Sequence, residues 1–147
     1  TQEWNHNQSL DWHLLDTPAH AGIQTLVRDL NRLYRATPAL YRNDAHPGGF
    51  AWVDGGDVEN SIYVYQRMGD RGEPRAIVIL NMTPVERPDH RVGLPGTGYW
   101  REALNTDAAE YGGGGRGNLG GVRAEDVEWM GLFRQRHAAP AFGCHID

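Results

Sequence analysis

The chain has 147 residues, 39% of them hydrophobic and 10% aromatic, enough for one packed domain or a small domain plus a piece of another. A formal charge of -5 and a pI near 5.7 argue against nucleic acid or an anionic membrane as the main partner. No apolar run is long enough to span a bilayer, no N-terminal signal pattern is present, and the single cysteine, Cys144, fits a reducing, cytoplasmic setting. The first residue is Thr1, which suggests a piece of a longer chain.

The opening stretch EWNHNQSLDWHLL, Glu3 to Leu15, follows neither helical nor strand periodicity. It crowds together two tryptophans, two histidines, three side-chain amides and two carboxylates. Indole faces pack well against the C–H face of a pyranose, while amides and carboxylates take its hydroxyls. Glu3, Trp4, Asn5, Asp11 and Trp12 are therefore the candidate substrate-binding residues. The competing account has Trp4 and Trp12 packing the loop on its scaffold while Asn5 and Asp11 satisfy loop backbone. Taken alone, the stretch favours that account. No acid/base role is assigned to Glu3 and Asp11, because such a pair needs one raised pKa and a fixed separation.

From His20 to Arg35, Ile23, Leu26, Val27, Leu30, Leu33 and Tyr34 recur at three- and four-residue spacing and predict an amphipathic helix. Thr17 reads as its N-cap, Pro18 as its first residue, and Thr37-Pro38 as its stop. Such a stripe must dock on something, and nothing earlier in the chain is large enough, so its partner is expected upstream. The stretch NDAHPGG, Asn43 to Gly49, then marks a boundary, dividing the chain into 1–43 and 44–147.

Beyond it the pattern changes to strands: FAWV, SIYVYQRM and RAIVILNMT are rich in β-branched and aromatic residues. GDRGEP reads as a hairpin connection, and HRVGL and YWREALN continue the series. Short strands at close spacing predict an antiparallel β-sandwich. Trp52, Tyr63, Tyr65, Trp100 and Tyr111 offer stacking platforms, but alternating aromatics in a sandwich are more often core.

Two apparent signals carry little. Gly112, Gly114 and Gly117 match G-x-G-x-x-G, yet no helix pattern follows, so a tightly turned or mobile loop is expected. His137, Cys144 and His145 lack the paired spacing of a zinc site, and no metal or cofactor is expected.

The blocks EWNHNQSLDWHLL, HAGIQTLVRDLNRLYRATPAL, GFAWVD, LNMTPVERPDHRVGLP and YWREALNTDAAEYGGGGRGNLGG together resemble the C-terminal part of bacterial glycogen branching enzymes. The resemblance runs from Gln2 to about Trp129. It implies an α-amylase-type (β/α)8 barrel whose last active-site-side loop and last helix are residues 1–43, followed by an all-β sandwich. It brings the sugar-facing reading of Glu3 to Leu15 level with the packing one. The implied reaction transfers an α-1,4-glucan segment to a 6-hydroxyl, with all three carboxylates on upstream barrel strands. The implied partners are α-glucan and that barrel, and this chain alone is expected to be inactive. A related hydrolase or debranching enzyme, or a non-catalytic glucan-binding or structural sandwich, are the alternatives.

The resemblance stops in the tail, from about Gly131. RQRHAAPAFGCHID has little alternation where the family closes its sandwich with a strand. One coding of this tail, read one base later, gives VSATLPPLSVATL, close to the missing strand. A frameshift between Gly131 and Arg134 is therefore expected, with an unpaired sheet edge as its consequence.

Overall fold

In the computed structural model, residues 3–71, 75–88 and 90–124 are described in full, and 128–129, 133–134, 138–139 and 143–146 as backbone strands. A 3-10 turn at Trp12–Asp16 leads into one long helix, α1, Pro18–Ala36. The helix starts at Pro18, the position read as its first residue. Thr17 is extended and makes no side-chain capping bond, so the start rests on Pro18, whose missing N–H and fixed φ suit the first position. It stops where expected, at Thr37-Pro38.

The Tyr41 to Gly49 connection is made of turns, and hydrogen bonds hold it to the sheet. The Asn43 side-chain amide donates to the Met68 carbonyl at 3.3 Å, and the Met68 amide donates to Gly49 at 3.0 Å. Arg67 pairs with Asp44, and Arg42 with Asp70 at 3.1 Å. A Cβ on Gly49 would collide with the Asn43 carbonyl, so this approach requires glycine.

The strands are β1 Phe50–Asp57, β2 Ile62–Arg67, β3 Ala76–Asn81, β4 His90–Arg91, β5 Gly98–Leu104, β6 Gly121–Ala124, β7 Glu128–Trp129, β8 Phe133–Arg134, β9 Ala138–Ala139 and β10 Gly143–Ile146. Six form one sheet in the order β1-β2-β3-β10-β5-β6; β4 pairs with β9 and β7 with β8. Every pairing among them is antiparallel, so the mainly β expectation holds. The β2–β3 hairpin runs in unbroken register from Ile62↔Asn81 to Arg67↔Ala76, whereas β1 slips twice against β2, around Asp54. At the level of the backbone, β10 lies between β3 and β5, so no unpaired edge opens there.

The core lies on one face of the sheet. Ile62 and Val64 of β2 and Ile77 and Ile79 of β3 meet Val92, Leu94, Trp100 and Ala124. Trp100 is only 3% exposed, and its indole N–H reaches the Gly96 carbonyl at 3.4 Å.

Candidate functional site

The opening loop is held mostly by its own backbone. The Asn5 side chain accepts from the Asn7 amide at 3.0 Å, and the Gln8 amide reaches Asn5 at 3.3 Å, an Asx-type turn. Asp11 stands at the start of the 3-10 turn, and its carbonyl accepts from Leu14 at 2.9 Å while its side chain caps nothing. Asn5 thus satisfies loop backbone as the packing account requires. The tryptophans do not follow that account: Trp4 is 75% exposed and Trp12 60%, with Trp4 leaning on His6 at 6.1 Å. Glu3, Trp4, Asn5, Asp11 and Trp12 all lie on the exposed surface of the loop.

A second aromatic surface lies on the sheet. Along β2, Ile62 and Val64 turn into the core, so Tyr63 and Tyr65 point to the opposite face. Across the ladder Trp52 pairs with Tyr65, and Phe50 joins them. The Phe50 and Trp52 rings meet edge-on at 5.2 Å, Phe50 lies 5.4 Å from Tyr65, and Trp52 lies 6.3 Å from Tyr63. Gly55 seats the indole: a Cβ there would stand 3.3 Å from it.

The expectation that these aromatics are core therefore needs dividing. Trp100 and Tyr111 are buried, whereas Trp52 and Tyr63 are exposed and Tyr65 half-buried. Among the described residues, one sheet face has the core against it, while the other is only partly covered by α1. Phe50 belongs to the exposed cluster and was not among the sequence candidates; its alternation with Trp52 was the available signal.

Beside the cluster a pocket of about 560 Å³ opens between α1 and this outer face, lined by Leu30, Leu33, Tyr34, Tyr65, Leu80 and Leu104 among others. The apolar stripe of α1 splits there. Leu26 and Leu33 are half-buried, while Ile23, Val27, Leu30 and Tyr34 are exposed.

The glycine-rich loop is a tight structural knot. The Asp107 carboxylate accepts from the amides of Gly114 at 2.8 Å and Arg116 at 2.9 Å. Glu102 accepts from both the backbone and side chain of Asn118 at 2.8 Å, and Asn105 bonds the Arg116 carbonyl. A dinucleotide phosphate would need free amides, but here two are already taken by a carboxylate. Gly112, with φ of 86°, supplies the left-handed turn that enters the knot. Among the described residues no group of three or more His, Cys, Asp or Glu could hold a metal ion. His137 and the side chains of Cys144 and His145 lie outside the described residues.

No helix among the described residues is long and apolar enough to cross a membrane. Residues 52–138 match the family model of the alpha amylase C-terminal all-beta domain. Over 130 residues, 88% of this chain, it is 55% identical to the 1,4-alpha-glucan branching enzyme of Cereibacter sphaeroides, covering 18% of that protein. It is 52% identical to the enzyme of the same name from Aquifex aeolicus over 130 residues, again 88% of this chain and 21% of the relative. With a relative from Xanthomonas oryzae pv. oryzae it shares 50% identity over 138 residues, 94% of this chain and 18% of the relative. The chain spans about a fifth of the length of these curated relatives.

Proposed function

Because this chain belongs to the family of alpha amylase C-terminal all-beta domains, we propose that it serves as the C-terminal part of a glycogen branching enzyme. The observation that carries this reading is identity of 50–55% to branching enzymes across 88–94% of the chain, from the opening loop into the sheet. The parent reaction moves an α-1,4-glucan segment onto a 6-hydroxyl. It is a retaining double displacement through a covalent glycosyl-enzyme, resolved by a sugar hydroxyl instead of water. Its three carboxylates belong to barrel strands upstream of the matched region, and no residue here is given that role. Residues 1–43 complete the barrel, residues 44–147 form the sandwich, and the upstream barrel is the chain's partner within one cytoplasmic polypeptide. No cofactor enters the reaction.

Glu3, Trp4, Asn5, Asp11 and Trp12 contact glucan from the loop. Exposure of both indoles supports this, since neither ring is consumed by packing within the described residues. The exposed cluster of Phe50, Trp52, Tyr63 and Tyr65 favours a second, non-catalytic contact with the same chains, by stacking on pyranose faces. The tail from about Gly131 is, in this reading, out of frame, with VSATLPPLSVATL the natural sequence for the place that β10 takes between β3 and β5. An intact mass matching the given tail, with an uninterrupted gene, overturns that part.

The test of the main reading grafts this chain in place of the C-terminal fifth of the Aquifex aeolicus enzyme and supplies amylose. New α-1,6 linkages without a matching rise in reducing ends are the expected result. Reducing ends alone would select the hydrolase alternative. A folded graft without transferase activity would overturn the reading. The 147-residue chain itself is expected to leave the iodine stain of amylose unchanged.

A further inference from the structure

We infer that Tyr111 is a positioning residue: seated on Gly22 and bonded to Asp29, it makes α1 one rigid body with the sheet. The opening loop that runs into α1 is then carried by the same body. The amphipathic pattern pointed only to an upstream partner for this helix, yet α1 also packs against the turn at Ala109–Tyr111 and against β5. Gly22 is the one buried residue of the helix, and a Cβ there would collide with the Tyr111 carbonyl. Two helical turns further on, the Tyr111 hydroxyl donates to the Asp29 carboxylate at 3.2 Å. Asp29 is itself braced by Arg28 at 3.3 Å and Arg32 at 3.2 Å.

The tyrosine has little freedom to move. It is 8% exposed, its amide is bonded to Ala108 at 3.0 Å, and the Asp107 knot fixes the loop after it. Burial, with Glu110 and Asp29 beside the hydroxyl, pushes its phenol up to about 12. At the other end of α1, Thr37 and Ala39 are buried and the Tyr41 to Gly49 connection is bonded to β2 and its flank. The helix is therefore held at both ends, and the sequence boundary near Asn43 is not a hinge. The inference concerns this chain alone and stands apart from the reaction proposed for the parent.

The experiment compares amide exchange in α1 and in β2–β3 for the 147-residue chain and three variants. Tyr111→Phe leaves the Tyr111 backbone seated on Gly22 and removes only the hydroxyl, with its bond to Asp29 and its contact with Glu110; α1 exchange should rise about tenfold. Gly22→Ala should raise it further, while β2–β3 protection stays. Asp29→Asn acts from the helix side and keeps the test open should Gly22→Ala fail to fold.

Spin labels at Leu10→Cys and Val58→Cys, on a Cys144→Ser background, read position directly. Both native side chains are exposed, at 59% and 80%. The distance distribution should be narrow in the parent and in Tyr111→Phe, and broad in Gly22→Ala. Unchanged α1 exchange in all three variants would overturn the inference. So would equal acceleration of α1 and β2–β3, or a distribution already broad in the parent.

Discussion

Two tryptophans of one sheet have opposite fates. Trp100 on β5 is 3% exposed and packed among Ile62, Val64 and Ile77; Trp52 on β1 is 56% exposed among other rings. Both come from strand stretches of similar composition. What separates them is which sheet face each one meets, and alternation assigns faces without saying what covers each. The inner face is closed by the chain's own Val92 and Leu94, whereas the outer face is left to aromatics and a pocket.

The sharpest way to break this contrast is Trp100→Ala, which should cost about 3–5 kcal/mol, as for large aromatic truncations in cores. A shift in the urea midpoint at constant slope checks it; a small shift would mean that the inner face is not the core. Tyr111 offers a next, smaller test, because it is buried on neither sheet face but under α1. Its phenol is raised from 10 to about 12, so the neutral form is favoured on folding. The stability this gives is complete below pH 10 and lost as pH rises through 12. Alkaline unfolding should therefore lose one component in Tyr111→Phe. The exposed side comes third: Trp52→Ala should change stability by under about 1 kcal/mol. The glucan contact proposed for this cluster predicts that affinity for a maltooligosaccharide falls about tenfold, read by calorimetry. If stability fell as far as for Trp100→Ala, the distinction between faces would be wrong.

The smallest effect belongs to the β1–β2 turn. Asp57 is held below its ordinary 3.8 mainly by the Asn60 side chain, opposed by partial burial and assisted by the Asn60 amide, His90 and Arg87. Its contribution is present above the ordinary carboxylate value and lost as pH falls through the folded one. Asn60→Ala should bring the carboxyl back towards 3.8, seen by NMR titration of Asp57.

How much of this was legible follows from which signals are local. α1 and five of the strands were readable because apolar spacing and β-branched runs are local. The seat of Tyr111 on Gly22 was not readable, since it joins residues 89 positions apart and nothing near either one marks the other. The mixture of residue types in the opening loop was visible, but the exposure of Trp4 and Trp12 was not. Trp52, Tyr63 and Tyr65 were named as possible platforms and then assigned to the core, a rule that assumes both sheet faces are covered. The knot around Asp107 was anticipated only as a turned loop, because identifying its acceptor requires three-dimensional proximity.

The two slips of β1 against β2 have a consequence for solubility. β1 is an edge strand carrying Phe50 and Trp52, a combination that would template pairing between molecules if the strand were flat. The bulges at Trp52/Asp54 and Asp54/Asp57 break the row of outward amides and carbonyls, and Asp54 and Asp57 add charge where a neighbouring strand would have to lie. Removing the second of these irregularities, by deleting one residue of Gly55-Gly56, should make the edge flatter and a better seed for cross-β aggregation. Thioflavin fluorescence during refolding reports that conversion directly.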